Sequence, residues 1–304
     1  MNARPASTTR IILAFLAVYI IWGSTYLAIR FAVETMPPFL MAGTRFGSAG
    51  LAVYGWLRLR GAPRPTRSEW IAATIAGAFL ILGGNGILSW SEQYVPSGLA
   101  ALLVAMVPIW LVAIARFGPE KEKPGGLELL GLSLGLTGVT VLLLGSDAEI
   151  GLGGASSGLV LLASLGVVVA SISWAIGSMY TRRARLPALP LYATALTMTA
   201  GGALQILVGL GLGELRALDL GAVSARSWGS LVYLSVFGSI VAFSAYAWLL
   251  RVVRPAVVGT YAYVNPIVAV FLGWQLAGER LTPAMWIGTI VIVSAVVLAQ
   301  RGRG

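Results

Sequence analysis

One apolar stretch occurs twice in this chain, about half a chain apart, and a proline breaks each copy. The first is YVPSGLAALLVAMVPIWLVAIAR, residues 94–116, and the second is RPAVVGTYAYVNPIVAVFLGWQL, residues 254–276. Pro108 and Pro266, the internal prolines, are 158 positions apart, and Glu122 and Glu279, in the turns that follow, are 157 apart. A near-constant offset is what an internal duplication leaves. A proline inside an apolar helix removes a backbone donor and frees the carbonyl one turn earlier. In hydrocarbon such a break survives only where protein or a wet cavity serves that carbonyl. Matching broken helices in two halves therefore place a hinge or binding cavity at Pro108 and Pro266.

The rest of the chain fits that environment. Of 304 residues, 58% are hydrophobic and 11% charged, against about 25% charged in a soluble domain. Too little polar surface is present to coat a water-soluble globule, so the chain is expected to be an integral membrane protein. Apolar runs suited to crossing a bilayer lie at 11–32, 39–57, 70–90, 97–115, 127–145, 158–181, 188–212, 227–250, 255–276 and 283–300, near the ~20 residues that a spanning helix needs. The glycine-rich, acidic segment 146–157 divides two halves, 1–150 and 151–304, of five spans each.

Charge predicts the orientation. If both tails share a side with the linkers after spans 2, 4, 6 and 8, that side collects 16 of the 21 basic residues. Positive residues stay in the cytoplasm, so both termini are expected there. Five spans per half is an odd number, so the second half enters the membrane inverted. The predicted fold is all-α, ten transmembrane helices as two inverted five-helix repeats, the architecture of carriers that alternate access around a midplane site.

Three stretches resemble the drug/metabolite transporter superfamily, in its duplicated EamA-type ten-helix branch: WGSTYLAIR at 22–30, GLAALLVAMVPIW at 98–110 and VGTYAYVNPIVAVFLGWQLAGERLTPAMWIG at 258–288. The GER-L-T turn at 278–282 is the most specific piece. PEKEKPGG at 119–126 replaces it in the first half, so the resemblance does not carry the role of Glu279 to Glu122. Within the branch the chain is similar to exporters of aromatic amino acids and paraquat. The resemblance implies export of small metabolites, amino acids above all, aromatic or otherwise neutral, with lipophilic cations as further cargo.

Candidate substrate residues are the polar and aromatic side chains at mid-depth: Tyr19, Trp22, Ser24, Arg45, Asn85, Trp90, Trp110, Trp174, Ser178, Tyr246, Tyr261, Tyr263 and Asn265. An amide in hydrocarbon needs a partner, which turns Asn85 and Asn265 inward. Tryptophan and tyrosine suit flat or cationic solutes; their alternative place is the membrane interface, where Trp56, Trp70, Trp228 and Trp286 fall. Arg45, the one cation well inside a span, either meets an anionic substrate group or snorkels. No acid lies at mid-depth, since Glu92, Glu128 and Glu279 sit at helix ends, and histidine is absent. Transport without proton coupling is the expectation. A sugar-phosphate or nucleotide-sugar exchanger is the alternative, though it would want paired cations. An embedded enzyme is a further alternative, but no nucleophile–base pair is apparent. With no Cys and no His, no cofactor or metal is expected. The expected partners are a small-molecule substrate and the lipid bilayer, not nucleic acid; oligomeric state is open, a monomer included.

Overall fold

The computed structural model describes residues 7–115, 125–144, 155–253, 258 and 260–301. Ten long helical runs appear among them: α1 (Thr8–Val33), α2 (Pro38–Leu59), α3 (Arg67–Ser91), α4 (Ser97–Ile114), α5 (Gly126–Leu144), α6 (Ser157–Thr181), α7 (Pro190–Gly211), α8, composed of Ala225–Tyr233, Leu234–Val241 and Ala242–Val252, α9 (Tyr261–Ala277) and α10 (Pro283–Arg301). No strand occurs among the described residues. Six runs are long and apolar enough to cross a membrane, namely α1, α3, α4, α6, α7 and the 225–246 part of α8. Leu129–Leu144, Val264–Ala277 and Pro283–Leu298 are shorter apolar stretches. The tenth run, α2, carries Arg45 and Arg58. The expected start of the ninth span, including Pro255, lies outside the described residues, as do Glu122 and most of segment 146–157.

The linkers hold the signals that start these helices. Ser7, Thr66, Ser156 and Ser224 each place a side-chain oxygen on a backbone N–H of the first turn. Pro38, Pro190 and Pro283 open α2, α7 and α10, where a missing N–H costs nothing. The 213–226 linker contains one helical turn, Glu214–Ala217. Its Glu214 carboxylate accepts from the N–H groups of Phe39 and Leu40 at 3.2 and 2.8 Å, so the linker caps α2.

Loops 34–37, 92–96, 212–224 and 278–282 gather at one end of the bundle, here the upper end; loops 60–66 and 182–189 mark the lower. α2 packs along α7, and α5 along α10. The α2–α7 contact is backbone against backbone: a Cβ on Gly202 would lie 2.4 Å from the Gly47 nitrogen. Inside, α1 meets α8 and α9, α3 and α4 both meet α6, and α4 meets α9. The main core cluster includes Ile29, Leu99, Leu102, Leu103, Met106 and Ile109. Outward faces carry exposed Leu13, Ile20, Leu51, Leu162, Leu207 and Ile290, a surface made for lipid.

Three helices are locally wound as π-helix: α1 at Ala17–Ile21, α3 at Ala78–Gly86 and α8 at Leu234–Val241. Such turns gather at functional sites. Here each one offers carbonyls to side chains from elsewhere. Ser173 and Gln205 donate to Phe79 and Ile81 at 2.8 Å each, and the Trp22 indole donates to Gly238 at 3.2 Å. The Asn265 amide, oriented with its nitrogen toward them, donates to Tyr19 and Tyr261 at 3.2 Å each.

Candidate functional site

The inner helices enclose a cavity of about 120 Å³. For scale, an apolar cavity of about 150 Å³ holds one benzene ring. Of the sequence candidates, Trp22, Arg45, Asn85, Trp174, Tyr261 and Asn265 line it, with both prolines, Pro108 and Pro266. Tyr26, which shares the mid-depth polar and aromatic stretch of the first span, lines it as well, and so do Thr25, Phe46 and Phe243, which were not singled out by sequence. Phe46 is adjacent to Arg45, the neighbour relation that would have found it.

The prolines shape this wall. α4 is divided into Ser97–Val104 and Val107–Ala115 by a turn at 105–106, just before Pro108. Pro266 lies within α9. Neither has an N–H to give the carbonyl four residues back. Those carbonyls belong to Val104 and Ala262, and both residues line the cavity. The duplicated break thus brings the two residues that precede the prolines by one turn to one space.

Arg45 is 3% exposed. Its Nε donates to Ser239 Oγ at 3.1 Å, and its guanidinium lies 4.4 Å from the Phe46 ring centroid. Nη1 has no partner among the described residues. Gly238 gives the group room, because a Cβ there would sit 3.2 Å from Nη2. The guanidinium is therefore held at Nε and without a described partner at Nη1. Asn85 makes a long contact to the Leu80 carbonyl, 3.4 Å, which leaves its amide available to the cavity.

The lower part of the cavity is aromatic. Trp22 is the hub, with ring centroids of Phe243, Tyr246 and Tyr261 at 5.0, 5.1 and 5.2 Å. Tyr19 hydrogen-bonds Thr260 below it. Tyr19 and Tyr246 therefore support the wall from behind.

The remaining candidates have other partners. Ser24 bonds the Ile21 carbonyl and the Tyr233 hydroxyl at 2.9 and 2.6 Å. Ser178 returns its proton to the Trp174 carbonyl at 2.7 Å, a common use of serine inside a helix. Trp110 donates to Ser171, a lining residue, at 2.8 Å. Trp90 packs edge-on against Tyr94, 5.5 Å away. The Tyr263 side chain lies outside the described residues.

The upper end is polar. Gly278 takes a left-handed conformation at φ 62° and ends α9, which swings Glu279 back over the bundle. Its carboxylate accepts from Ser97 N, Ser97 Oγ and Gly98 N at 2.8, 2.7 and 3.0 Å, and pairs with Arg30. A carboxylate on the first turn of α4 meets unpaired N–H groups and the positive end of the helix dipole. Thr282 then caps α10, its hydroxyl accepting from Met285 N at 3.2 Å. Each position of the GER-L-T turn that matters, Gly278, Glu279 and Thr282, has its role in this clasp.

Comparison with known proteins agrees with this layout. A model of the EamA-like transporter family matches residues 9–144 and again 161–300. The chain belongs to the EamA-like transporter family. It is 42% identical over 293 residues to the inner membrane transporter YedA of Escherichia coli (strain K12), covering 95% of this chain and 90% of YedA. It is 24% identical over 301 residues to the transporter YoaV of Bacillus subtilis (strain 168), covering 95% and 96%. A solved crystal structure, 23% identical, superposes with a TM-score of 0.62 over 96% of this chain and 97% of the other, a likeness of fold.

Proposed function

We propose that this family member is a multi-pass carrier that exports small metabolites, amino acids above all, aromatic or otherwise neutral, across a bacterial inner membrane by alternating access. The observation that carries this reading is the cavity's chemistry. One wall includes Arg45, whose buried Nη1 has no partner among the described residues and whose guanidinium is suited to a carboxylate. Val104 and Ala262, each one turn before a proline, line the cavity as well, and carbonyls without their helical donor there would accept from an ammonium group. Trp22, Phe46, Trp174 and Tyr261 supply flat apolar faces. A zwitterion with a neutral side chain uses all three. The size favours a single-ring solute over a nucleotide sugar, and a sugar phosphate would want a second cation beside Arg45. Lipophilic cations remain a secondary cargo, held by the aromatic faces.

The inverted repeat belongs to the same proposal. It is supported by packing that exchanges halves: α1 with α9 mirrors α6 with α4, and α1 with α8 mirrors α6 with α3. The π-helical stretches of α3 and α8 recur at matching places. In the proposed orientation the lower end faces the cytoplasm, with both termini there, and the protein works without cofactor, metal or enzymatic activity. The test is ligand-induced thermal stabilisation of the detergent-purified protein. Neutral and aromatic amino acids are expected to raise its melting temperature, while sugar phosphates leave it unchanged. The reverse pattern would assign the cavity to the phosphate exchanger.

A further inference from the structure

The expectation of uncoupled transport rested on every acid lying at a helix end. The structure separates helix end from water. Glu92 follows the last residue of α3, yet it is 0% exposed, and among the described residues neither carboxyl oxygen has a hydrogen-bond partner. Its N–H bonds the carbonyl of Leu88 at 3.0 Å, and Leu88 lines the cavity. Glu92 therefore sits one turn above the substrate space, under the Arg30–Glu279 clasp.

The groups around it are few and named. Arg30 and Tyr26 come from α1, Arg45 from α2 and Glu279 from the loop after α9; each interacts with Glu92 electrostatically and none bonds it. Its own loop adds Tyr94. α6 packs on the same turn, where a Cβ on Gly166 would lie 2.8 Å from Ser91 Oγ, and residues 157–171 of α6 carry no ionisable side chain. Burial pushes the Glu92 carboxyl well above the ordinary carboxylate range, Glu279 adds to the rise, and Arg30 and Arg45 oppose it. A buried acid without a protein partner holds a proton.

We propose that Glu92 is a proton-binding site linked to the cavity through Arg45, so that the carrier binds a proton together with a carboxylate-bearing substrate. Once Glu92 gives its proton to water, its carboxylate becomes a second anion competing for the Arg45 guanidinium. With the proton in place, Arg45 is left to the substrate. Linkage makes this reciprocal: substrate raises the proton affinity of Glu92, and a proton raises the substrate affinity of the cavity. Above the Glu92 midpoint, substrate affinity falls about tenfold per pH unit.

This proposal rests on the cavity being the substrate site, and the experiment has two arms that separate the two. In the first, infrared titration of the full-length purified protein, without substrate, follows the carbonyl band of protonated carboxyl groups. A band that persists at neutral pH in the wild type and is missing from Glu92→Gln is expected. A wild type with no such band at neutral pH overturns the proposal, whether or not the variant folds. In the second arm, the binding of L-phenylalanine is measured across pH. The expected result is tenfold weakening per unit above the midpoint in the wild type and a flat profile in Glu92→Gln. Matching profiles in the two proteins overturn the link. Absence of L-phenylalanine binding at every pH overturns the cavity reading and with it the link, while the infrared arm still decides whether Glu92 holds the proton.

Discussion

The two ends of the cavity are flanked by opposite kinds of chemistry. Above it, one carboxylate, Glu279, holds three donors on α4 and Arg30 of α1 in fixed geometry. Below it, Trp22 gathers Phe243, Tyr246 and Tyr261 with tilted and edge-on rings. The clasp is directional and all-or-none: a carboxylate that leaves those donors strands buried N–H groups and a cation. The aromatic cluster is adaptable, since ring pairs contribute roughly 0.5–1.5 kcal/mol each beyond burial and tolerate sliding. A carrier of this build would open smoothly below and switch abruptly above.

Breaking the clasp should give the largest effect. Glu279→Ala leaves Arg30 and the first turn of α4 without their partner, and loss of one member of a buried pair costs about 3–5 kcal/mol. The measurement is thermal unfolding in detergent, and a loss below about 1 kcal/mol would remove the contrast between the ends. At the aromatic end, Trp22→Phe loses the hydrogen bond to Gly238 and part of the ring, and about 2 kcal/mol is expected by the same measurement. Tyr19→Phe removes only the hydroxyl that meets Thr260, with an expected cost of about 0.5–1.5 kcal/mol. Arg226→Ala, which opens the exposed pair with Glu34 at the upper surface, should change stability by less than about 1 kcal/mol.

Acidity distinguishes the ends as well. Glu92 is raised above its ordinary value of 4.5, so the folded protein binds a proton that the unfolded chain has released. The stability this contributes is complete below about 4.5 and is lost as pH rises through the folded value. Melting temperature should therefore decline with pH across that window in the wild type, and the decline should shrink in Glu92→Gln. An equal decline in both would assign the pH dependence elsewhere.

Much of this fold was legible as sequence because lipid leaves few choices. Apolar runs of the right length and the GER-L-T turn correspond to described helices and to a cap. Trp22, Arg45, Asn85 and Asn265 could be placed inward because polar or charged groups at that depth need company. The π-helical turns were not legible, since they depend on Ser173, Gln205 and Trp22 arriving from other parts of the bundle. Nor could sequence separate Ser178, which bonds its own helix, from a cavity residue. Glu92 shows the limit most clearly: its place in the chain is a helix end, and the packing of α1, α2 and α6 against that end buries it.

Transport of radiolabelled L-phenylalanine in proteoliposomes, comparing the wild type with Arg45→Gln, tests the central claim most directly. The account predicts saturable transport by the wild type and at least a tenfold loss in a variant that remains folded, about 1.4 kcal/mol or more of lost interaction. Undiminished transport by folded Arg45→Gln would contradict it, because the guanidinium would then have no part in holding the substrate.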